Sequence, residues 1–569
     1  MLYACHAPAG TQSAKLHRHG SVQDLAGASV GAGILVTITD LTSGEMSLVK
    51  TNDAGEFDFA RPPGRYAFAA TSPDGFAFLQ KDVVATDNPV VTLSTCHPVH
   101  GRVTGEVVLP ATISISRDSS DIGDRFVVPV MSDGRFAACL TDGGYAPAAD
   151  GPMVSLPVPI LVPRDSTVDL VAYATSHVRE VPKDIRITDS DFATFARSLS
   201  DRKVIGLGEA NHGTGDFYSY RAKLVLELAS KAKLRSILFE NDAIGMLAIE
   251  DYVMGVDVDI GKSVAALRFW ITDIQENLAF LAEVRAHNAR STAADKLHVL
   301  GIDAQRVEPP VQFLLEHRPD VQISDREADL LTQVAPDHGA AFTKLSGDDR
   351  DLLSALLQRL AAVNGGPADL TSPAARASVA ARSIAYQLGY LGEFGHVRQR
   401  DQAMAEIAAH IIKMNGSRQA ALWAHDEHIA RQASGADKSL GQFFADKFGD
   451  GYYPIAFLSH SGAGRAWDPG GKIGVIPHEL VPAPAYNVES VIMKATGFVD
   501  AAWVRLDTAS GSLKQWLSTP RYVREFGSVY IASNTTRLRP FPGAMSAVVV
   551  LQHGSPSTPT PTGVRKVTQ

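Results

Sequence analysis

The sequence predicts a multidomain protein in which two all-β sandwich modules precede an α/β domain with a largely parallel central sheet. With 569 residues, the chain is too long for one hydrophobic core. Short alternating strands separated by turns occupy residues 20–178, a pattern typical of β-sandwiches. From residue 179 onward apolar strands alternate with helices, which is typical of a parallel sheet covered by helices.

The composition excludes two classes of partner. Hydrophobic residues make up 45% of the chain and charged residues 20%, as in ordinary globular proteins. The net charge is −9 and basic residues are not clustered along the sequence, which argues against a nucleic-acid partner. No run of about 18 apolar residues is present, so we expect no membrane span. The oligomeric state stays open.

The amino-terminal segment, residues 1–19, is expected to be disordered and leaves localisation open. Its start, Met-Leu-Tyr-Ala-Cys5, resembles the end of a bacterial lipoprotein cleavage site without the basic and apolar regions. Either the start is trimmed and the protein is exported, with a lipid anchor at Cys5, or Cys5 is an ordinary residue of a cytoplasmic protein. The two other cysteines, Cys96 and Cys139, lack metal-site spacing, and a disulfide between them is an open alternative.

The two β modules, residues 20–95 and 96–178, are related as an internal repeat. The turn Asp53-Ala-Gly55-Glu-Phe57 is mirrored by Ser132-Asp133-Gly134-Arg-Phe136, and in both copies an aromatic pair is nine residues apart, Phe57 with Tyr66 and Phe136 with Tyr145. The turn resembles that of carboxypeptidase-regulatory-like or transthyretin-like modules. That resemblance implies a role as spacer or docking platform.

The α/β domain is predicted to span residues 179–555. Its predicted strands are 204–207, 236–239, 297–301, 420–423 and 452–458, with weaker ones near 501–506, 529–531 and 547–551. A block without strands, about 310–415, is predicted to form a helical lid or side wall. The Pro- and Thr-rich tail, 556–569, is expected to be disordered.

Four predicted strands are each followed by acids or imidazoles. These side chains are Glu209 and His212, Glu240, Asp303, and finally His425, Asp426, Glu427 and His428. Because ligands of parallel sheets bind outside the carboxyl ends of the strands, we expect these groups to share one site. An imidazole can take a proton from water while a carboxylate orients it.

No serine or cysteine in these loops has a convincing nucleophile elbow, which favours direct activation of water over a covalent intermediate. Arg221, nine residues after His212, is a candidate for stabilising an oxyanion or binding an acid group. A surface arginine on the following helix is the alternative.

The residues resemble the erythromycin esterase family through six motifs in order over residues 180–550. They are Gly208-Glu209-Ala-Asn-His212-Gly213 with Arg221, a strand-end Glu240, Trp270 with Glu276 and Arg285-Ala-His-Asn288, Gly301-Ile-Asp303, Arg400-Asp401-Gln-Ala-Met404-Ala-Glu406, and Trp423-Ala-His425-Asp-Glu-His428. The resemblance implies a metal-independent ester hydrolase that acts on small molecules, and known members open macrolide lactones.

By position, the resemblance makes His212 the general base for water and assigns two groups of site residues. The catalytic set would also include Glu209, Glu240, His425, His428 and Arg221, and the substrate-binding set would be Trp270, Asp303, Arg400, Asp426 and Glu427. No cofactor is expected.

Departures from the family pattern leave two alternatives open. The family usually has Asn-Gly where this chain has Asp426-Glu427, and asparagine where it has Ile407. Carboxylates beside two histidines suit a divalent metal, so a metallohydrolase of another bond, such as an amide, is one alternative. An inactive binding or surface protein is the other.

Overall fold

The computed structural model describes residues 16–561 apart from 43–44, 73–74, 84–87, 118–124, 186, 188–190, 232–233, 363–369, 393–399, 417, 433–437, 469–473, 533–534 and 542. The chain divides into two compact units. The first is Met1–Thr175 with Ile531–Asn534, and the second is Ser176–Tyr530 with Thr535–Gln569. The first is all-β and the second α/β, so the predicted fold class is confirmed.

The first unit contains four sheets. Its strands are β1 (Leu16–Gln23), β2 (Leu35–Asp40), β3 (Met46–Lys50), β4 (Glu56–Arg61), β5 (Gly64–Ser72), β6 (Gly75–Val83), β7 (Val90–Thr92), β8 (His97–Gly105), β9 (Thr112–Arg117), β10 (Arg125–Pro129), β11 (Arg135–Leu140), β12 (Gly143–Asp150), β13 (Met153–Ser155), β14 (Ile160–Val162) and β15 (Thr167–Ala174). The sheet orders are β3-β2-β5-β6 and β4-β1-β7, then β10-β9-β12-β14 and β11-β8-β15-β13. Each pair of sheets buries an apolar core, and Ala69 on β5 and Phe76 on β6 belong to the core of the second pair.

The internal repeat has a packing cause. Phe57 on β4 pairs in register with Gly20, and Phe136 on β11 pairs with Gly101. In both copies the phenyl ring covers the glycine so closely that an added Cβ would overlap it. The tyrosines repeat as well, since each hydroxyl hydrogen-bonds four residues back: Tyr66 to the Pro62 carbonyl at 3.0 Å, and Tyr145 with the Thr141 hydroxyl at 2.9 Å.

Cys96 and Cys139 form a disulfide, with their Cα atoms 5.4 Å apart. The bond joins the segment just before β8 to β11. It therefore closes a loop within the second module.

The second unit is built on one sheet of eight strands. They are β16 (Val204–Leu207), β17 (Leu234–Asp242), β18 (His298–Asp303), β19 (Gln419–Trp423), β20 (Tyr452–Trp467), β21 (Val475–Leu480), β22 (Ala501–Arg505) and β25 (Ala547–Gly554). The order is β18-β17-β19-β16-β20-β25-β22, with β21 on β20. Neighbours from β18 to β25 run parallel, whereas β21 and β22 are antiparallel to their partners. The fully buried runs β16 and β19 follow from helices covering both faces.

Helices connect these strands. They are α1 (Thr175–Val178), α2 (Phe192–Arg197), α3 (Gly215–Lys231), α4 (Leu247–Met254), α5 (Ile260–Ala266), α6 (Gln275–Ala289), α7 (Glu308–Glu316), α8 (Arg318–Val321), α9 (Asp325–Val334), α10 (Gly347–Ala361), α11 (Pro373–Gly392), α12 (Arg400–Met414), α13 (Asp426–Ile429), α14 (Leu440–Phe448), α15 (Val488–Thr496) and α16 (Gly511–Trp516), with 3-10 turns at Ala293–Asp295, Pro336–Lys344 and Gly449–Gly451. Within the described chain, no helix has both the length and the apolar character needed to cross a membrane.

Three sequence expectations differ from the structure. The weak strand predicted at 529–531 is absent from the described residues, and a hairpin of β23 (Arg521–Arg524) and β24 (Thr536–Arg539) flanks that position instead. The first module begins before residue 20, because β1 pairs with β4 from Leu16 onward.

The predicted tail is ordered over residues 556–561. The backbone N–H of Thr558 donates to Glu276, and the hydroxyl of the buried Thr560 donates to Asp273. These acids on the second unit give the Pro- and Thr-rich segment the hydrogen bonds that it cannot make within itself. Residues 562–569 and the segment 1–15, with Cys5, lie outside the described residues.

Candidate active site

A cavity of about 610 Å³ lies at the carboxyl ends of the central parallel strands. Because β17, β19 and β16 are neighbours, the loops that follow them meet at one edge of the sheet. The cavity is lined by His212, Glu240, Phe269, Trp270, Ile271, Gln305, Arg400, His425, Glu427, His428, Glu525, Phe526, Gly527, Ser528 and Arg537.

The first group of the site is a chain of three buried side chains after β16. His212 Nδ1 lies 2.6 Å from Glu209 Oε1, and Arg221 Nη2 donates to Glu209 Oε2 at 2.6 Å. Burial by itself raises the pKa of Glu209, but the charge of Arg221 and the hydrogen bond from His212 outweigh it and lower that pKa to about 2. An ionised Glu209 accepts a hydrogen bond only from a protonated Nδ1, so it leaves Nε2 of His212 as the free ring nitrogen.

Arg221 acts behind this pair and not in the cavity. Its side chain is fully buried on α3, and its guanidinium lies over the rings of Trp423 and Tyr218, 4.3 and 4.9 Å from their centroids. The side chain is absent from the cavity lining. The surface arginine considered from the sequence is therefore wrong, and the acid group that Arg221 binds in this structure is Glu209.

His425, directly after β19, has the opposite tautomer. Its Nδ1 accepts the backbone N–H of Glu427 at 3.3 Å, which places the proton of the neutral ring on Nε2. Burial, and next the nearby His212, lower the pKa of His425, so the ring is neutral. Nε2 is buried and finds no hydrogen-bond partner among the described residues. The two imidazoles lie side by side, with ring centroids 5.0 Å apart.

A second network is centred on Arg400, the first residue of α12. Arg400 Nη2 donates to Asp303 at 2.7 Å and to Glu240 at 2.8 Å, so it joins the ends of β17 and β18. His428 completes it, with Nδ1 2.6 Å from Asp401 and Nε2 3.2 Å from Glu240.

The charges of this network stabilise one another. Burial opposes the charged form of His428, but Asp401 and Glu240 outweigh it and hold the pKa of His428 well above its usual value. Burial also raises the pKa of Glu240, but His428 and Arg400 outweigh it and hold that pKa well below its usual range. His428 is therefore an imidazolium and Glu240 a carboxylate at neutral pH.

A third group, on the β23–β24 hairpin and its flank, was missed in the sequence. Arg539 donates to Glu525 at 2.9 Å through Nε and to Glu427 at 3.0 Å through Nη1. Glu525 Oε1 also lies 3.9 Å from His425 Nδ1. Two arginines two residues apart on a strand, Arg537 and Arg539, were the available signal, but the strand itself was not predicted.

The adjacent acids Asp426 and Glu427 do not converge on a common point. Asp426 is buried against Gly208, where an added Cβ would overlap its Oδ1, whereas Glu427 is bound by Arg539. Burial, and next the charge of Glu525, raise the pKa of Asp426 well above its usual value. In the part of the chain that the structure describes, no three His, Cys, Asp or Glu side chains are grouped to hold a metal ion.

The structure brings most of the predicted residues together, but only some of them line the cavity, and the others are buried behind the lining. His212, Glu240, His425, His428, Trp270, Arg400 and Glu427 line the cavity. Asp303 and Asp426 were predicted to bind substrate, yet each has only 1% of its surface exposed and neither lines the cavity. Both are packed beneath the lining residues. Glu209 likewise reaches the cavity only through His212.

Part of the cavity lining is apolar. Phe269, Trp270 and Ile271 form one part and Phe526 another. Trp270 stands edge-on to His212, with ring centroids 6.5 Å apart. An apolar ligand body can therefore lie beside the two free imidazole nitrogens.

Comparisons with known proteins bear on the family and the fold of the chain. The family model described as erythromycin esterase matches residues 231–549. That range begins after His212, so the geometry alone joins Glu209, His212 and Arg221 to the rest of the site. The comparison with curated proteins gave no match.

Three solved structures are similar to the chain. A Bacillus cereus protein is 18% identical with a TM-score of 0.55, covering 68% of this chain and 100% of its own. A succinoglycan biosynthesis protein is 16% identical with a TM-score of 0.55, covering 68% and 97%. A mutant of the erythromycin esterase EreC in its open conformation is 17% identical with a TM-score of 0.45, covering 65% and 95%. The first two likenesses show the fold of the second unit.

Proposed function

The chain belongs to the erythromycin esterase family, a family of hydrolases, and we propose that it hydrolyses a neutral carboxylic ester or lactone by general-base activation of water at His212. One observation carries the proposal. The buried chain Arg221–Glu209–His212 ends at a cavity-lining imidazole whose Nε2 is left free to take a proton.

In the proposed first step, His212 Nε2 takes a proton from a water molecule as the water oxygen attacks the carbonyl carbon. Glu209 holds the ring by its Nδ1 proton and stabilises the imidazolium that forms. Arg221 is a positioning residue, because its hydrogen bond holds the carboxylate at 2.6 Å.

The negative charge that develops on the carbonyl oxygen requires a donor. His425 fits this role, since its Nε2–H is buried and unpaired among the described residues and its ring is beside His212. When the tetrahedral intermediate collapses, the carbon–oxygen bond to the leaving group breaks. The imidazolium of His212 returns its proton to the leaving alkoxide, which gives one acid and one alcohol, or the opened hydroxy acid of a lactone.

The charges of the site favour a neutral substrate. Of the cations that line the cavity, Arg400 and His428 are held by Asp303, Glu240 and Asp401, so these two are not free to bind a substrate carboxylate. The apolar wall around Trp270 suits a large apolar body, and about 610 Å³ is within the usual range for small-molecule sites. A macrolide-type lactone or another secondary-metabolite ester meets both conditions.

We propose that the reaction needs no metal ion. The carboxylates that could act as ligands are engaged by arginines or histidines, and Asp426 and Glu427 point to different partners. The site's own histidines supply both the base and the donor.

The decisive test is His212→Asn, assayed against a panel of p-nitrophenyl esters and macrolide lactones. The chain offers a control in His298, whose Nδ1 lies 2.6 Å from Glu250 in a partly buried pair outside the cavity. We expect kcat to fall by a factor of about 10³ or more in His212→Asn and to change little in His298→Asn. Both variants should retain the wild-type circular dichroism spectrum.

Full turnover by folded His212→Asn would overturn the general-base assignment. A wild-type protein that cleaves no ester of the panel but cleaves amides would overturn the proposed bond class.

A further inference from the structure

A second cavity of the α/β unit, of about 420 Å³, lies at the edge of the sheet opposite to the active site. It is lined by Lys203 and Val204 at the start of β16 and by Arg418 just before β19. Because β16 has four residues at about 3.3 Å each, about 13 Å of strand lies between the two cavities. None of its lining residues lines the active-site cavity or takes part in the proposed reaction.

The charge of this cavity is opposite to that of the chain. The protein has a net charge of −9, yet five cationic side chains and only one carboxylate line the cavity. The cations are Lys203, Arg382, Lys413, Arg418 and Lys447, and the carboxylate is Glu406.

No salt bridge explains the convergence of these cations, since none of the five forms an ion pair with a carboxylate among the described residues. Arg418 Nη1 donates to the Ala294 carbonyl, and the ammonium of Lys447 lies 5.7 Å from the ring centroid of Phe448. Arg382 Nη2 donates to the Ala361 carbonyl at 3.1 Å, while its Nε is buried without a hydrogen bond to any described group. Glu406 is occupied by neutral donors, the Tyr386 hydroxyl and Gln402 Nε2.

A buried histidine forms part of the lining. Ser378 Oγ donates to the Ala375 carbonyl at 2.7 Å, so it accepts from His410 Nε2, 2.8 Å away. Burial, and next the charges of Arg382 and Lys413, lower the pKa of His410 to about 4. The uncompensated positive potential of the cavity therefore acts even on its buried wall.

We propose that this cavity binds a small anion with at least two negative charges, of the phosphate-ester or polyphosphate class, at a site separate from the catalytic one. The half-buried guanidinium of Arg382 supplies directional donors, including the unpaired Nε, and the exposed ammonium groups at the mouth supply point charges. The lining residues Ile412 and Phe448 leave room for a short apolar part of the ligand.

Pyrophosphate, added to the full-length protein and followed by isothermal titration calorimetry, is the test. We expect saturable binding that weakens about tenfold for each of Arg382→Gln and Arg418→Gln. Lys413 and Lys447 are exposed, so the variants Lys413→Gln and Lys447→Gln test the same cavity with little effect on folding. The control is the pair Lys262→Gln and Arg326→Gln, which removes two cations that do not line the cavity.

The pKa of His410 is a second readout, and it reports on an anion bound beside Arg382 and Lys413. An anion beside Arg382 and Lys413 reduces their effect, so the pKa of His410 followed by NMR should rise by about one pH unit or more on saturation with pyrophosphate. Citrate in place of pyrophosphate tests whether a polycarboxylate serves equally well. Equal binding of citrate would overturn the phosphate class.

No heat of binding at millimolar pyrophosphate would overturn the proposal, as would equal weakening by the control pair. None of these measurements uses ester hydrolysis, so their failure is distinct from failure of the proposed function.

Discussion

Replacing Glu209 by glutamine keeps the shape of the side chain and removes the charge that orients His212. In the wild-type protein the carboxylate makes two contacts of 2.6 Å, one to His212 and one to Arg221. Its pKa of about 2, compared with an ordinary 4.5, corresponds to about 3 kcal/mol in favour of the ionised form. This is the interaction that the substitution removes.

The amide of Glu209→Gln can satisfy only one neighbour with its oxygen. Arg221 is fully buried and charged, so we expect the oxygen to face Arg221 and the NH₂ group to face His212. Donation to Nδ1 then places the ring proton on Nε2, and the base is lost. By the precedent of the serine-protease triad, in which the wrong tautomer costs about 10⁴ in kcat, we expect a loss of about 10³–10⁴.

The assay is kcat and KM for the best ester of the panel, together with thermal unfolding of each variant. Glu227→Gln is the control, because Glu227 pairs with Lys231 on the exposed side of the same helix and should change neither quantity appreciably. A folded Glu209→Gln that retained more than about one tenth of wild-type kcat would refute the tautomer argument.

Three further predictions concern pH, metal and the disulfide. Because the pKa of His428 is raised in the folded state, its charge stabilises the protein fully below pH 6.5, and this contribution is lost as the pH rises through the folded-state pKa. The free energy of unfolding of the wild-type protein should therefore fall as the pH rises through that range, and that of His428→Gln should fall less. Equal slopes in urea titrations over a pH series would contradict this. Dialysis against EDTA should leave kcat/KM unchanged, and activity lost to EDTA and restored by zinc would favour the metallohydrolase alternative. The double variant Cys96→Ser/Cys139→Ser opens a loop whose ends are 43 residues apart, and in denaturant titrations it should lower the free energy of unfolding of the first unit by about 4 kcal/mol. Two free thiols in protein purified from its native compartment would argue against the exported alternative.

The position of the candidate active site at one edge of the sheet was predictable because it follows from the strand order alone. Once β16, β17, β18 and β19 are recognised as parallel strands, their following loops must meet, and their acids and histidines with them. The spacing of residues along the sequence does not predict which of them are buried. Arg221, Asp303 and Asp426 belong to the site, but as buried supports of the lining groups, and burial depends on packing between segments far apart in sequence.

The residues that were missed in the sequence could not be predicted for a related reason. Glu525 and Arg539 lie on or beside a short hairpin, β23–β24, that crosses a region with only a weak strand signal. The basic cavity is assembled from side chains between Lys203 and Lys447, so a search for charge clusters along the sequence finds none. In both cases the fold, and not the local pattern, brings the charges together.

The hydrogen bonds of the active site explain why two neighbouring histidines can act differently. Glu209 holds the proton of His212 on Nδ1, which leaves Nε2 as the base, whereas the backbone N–H of Glu427 leaves the proton of His425 on Nε2. In the proposed first step His212 takes a second proton and becomes an imidazolium. Because His425 is only 5.0 Å away, the same proton on His212 disfavours a second one on His425. His425 therefore stays a neutral N–H donor at the moment when His212 becomes charged, which is the division of roles that ester hydrolysis requires.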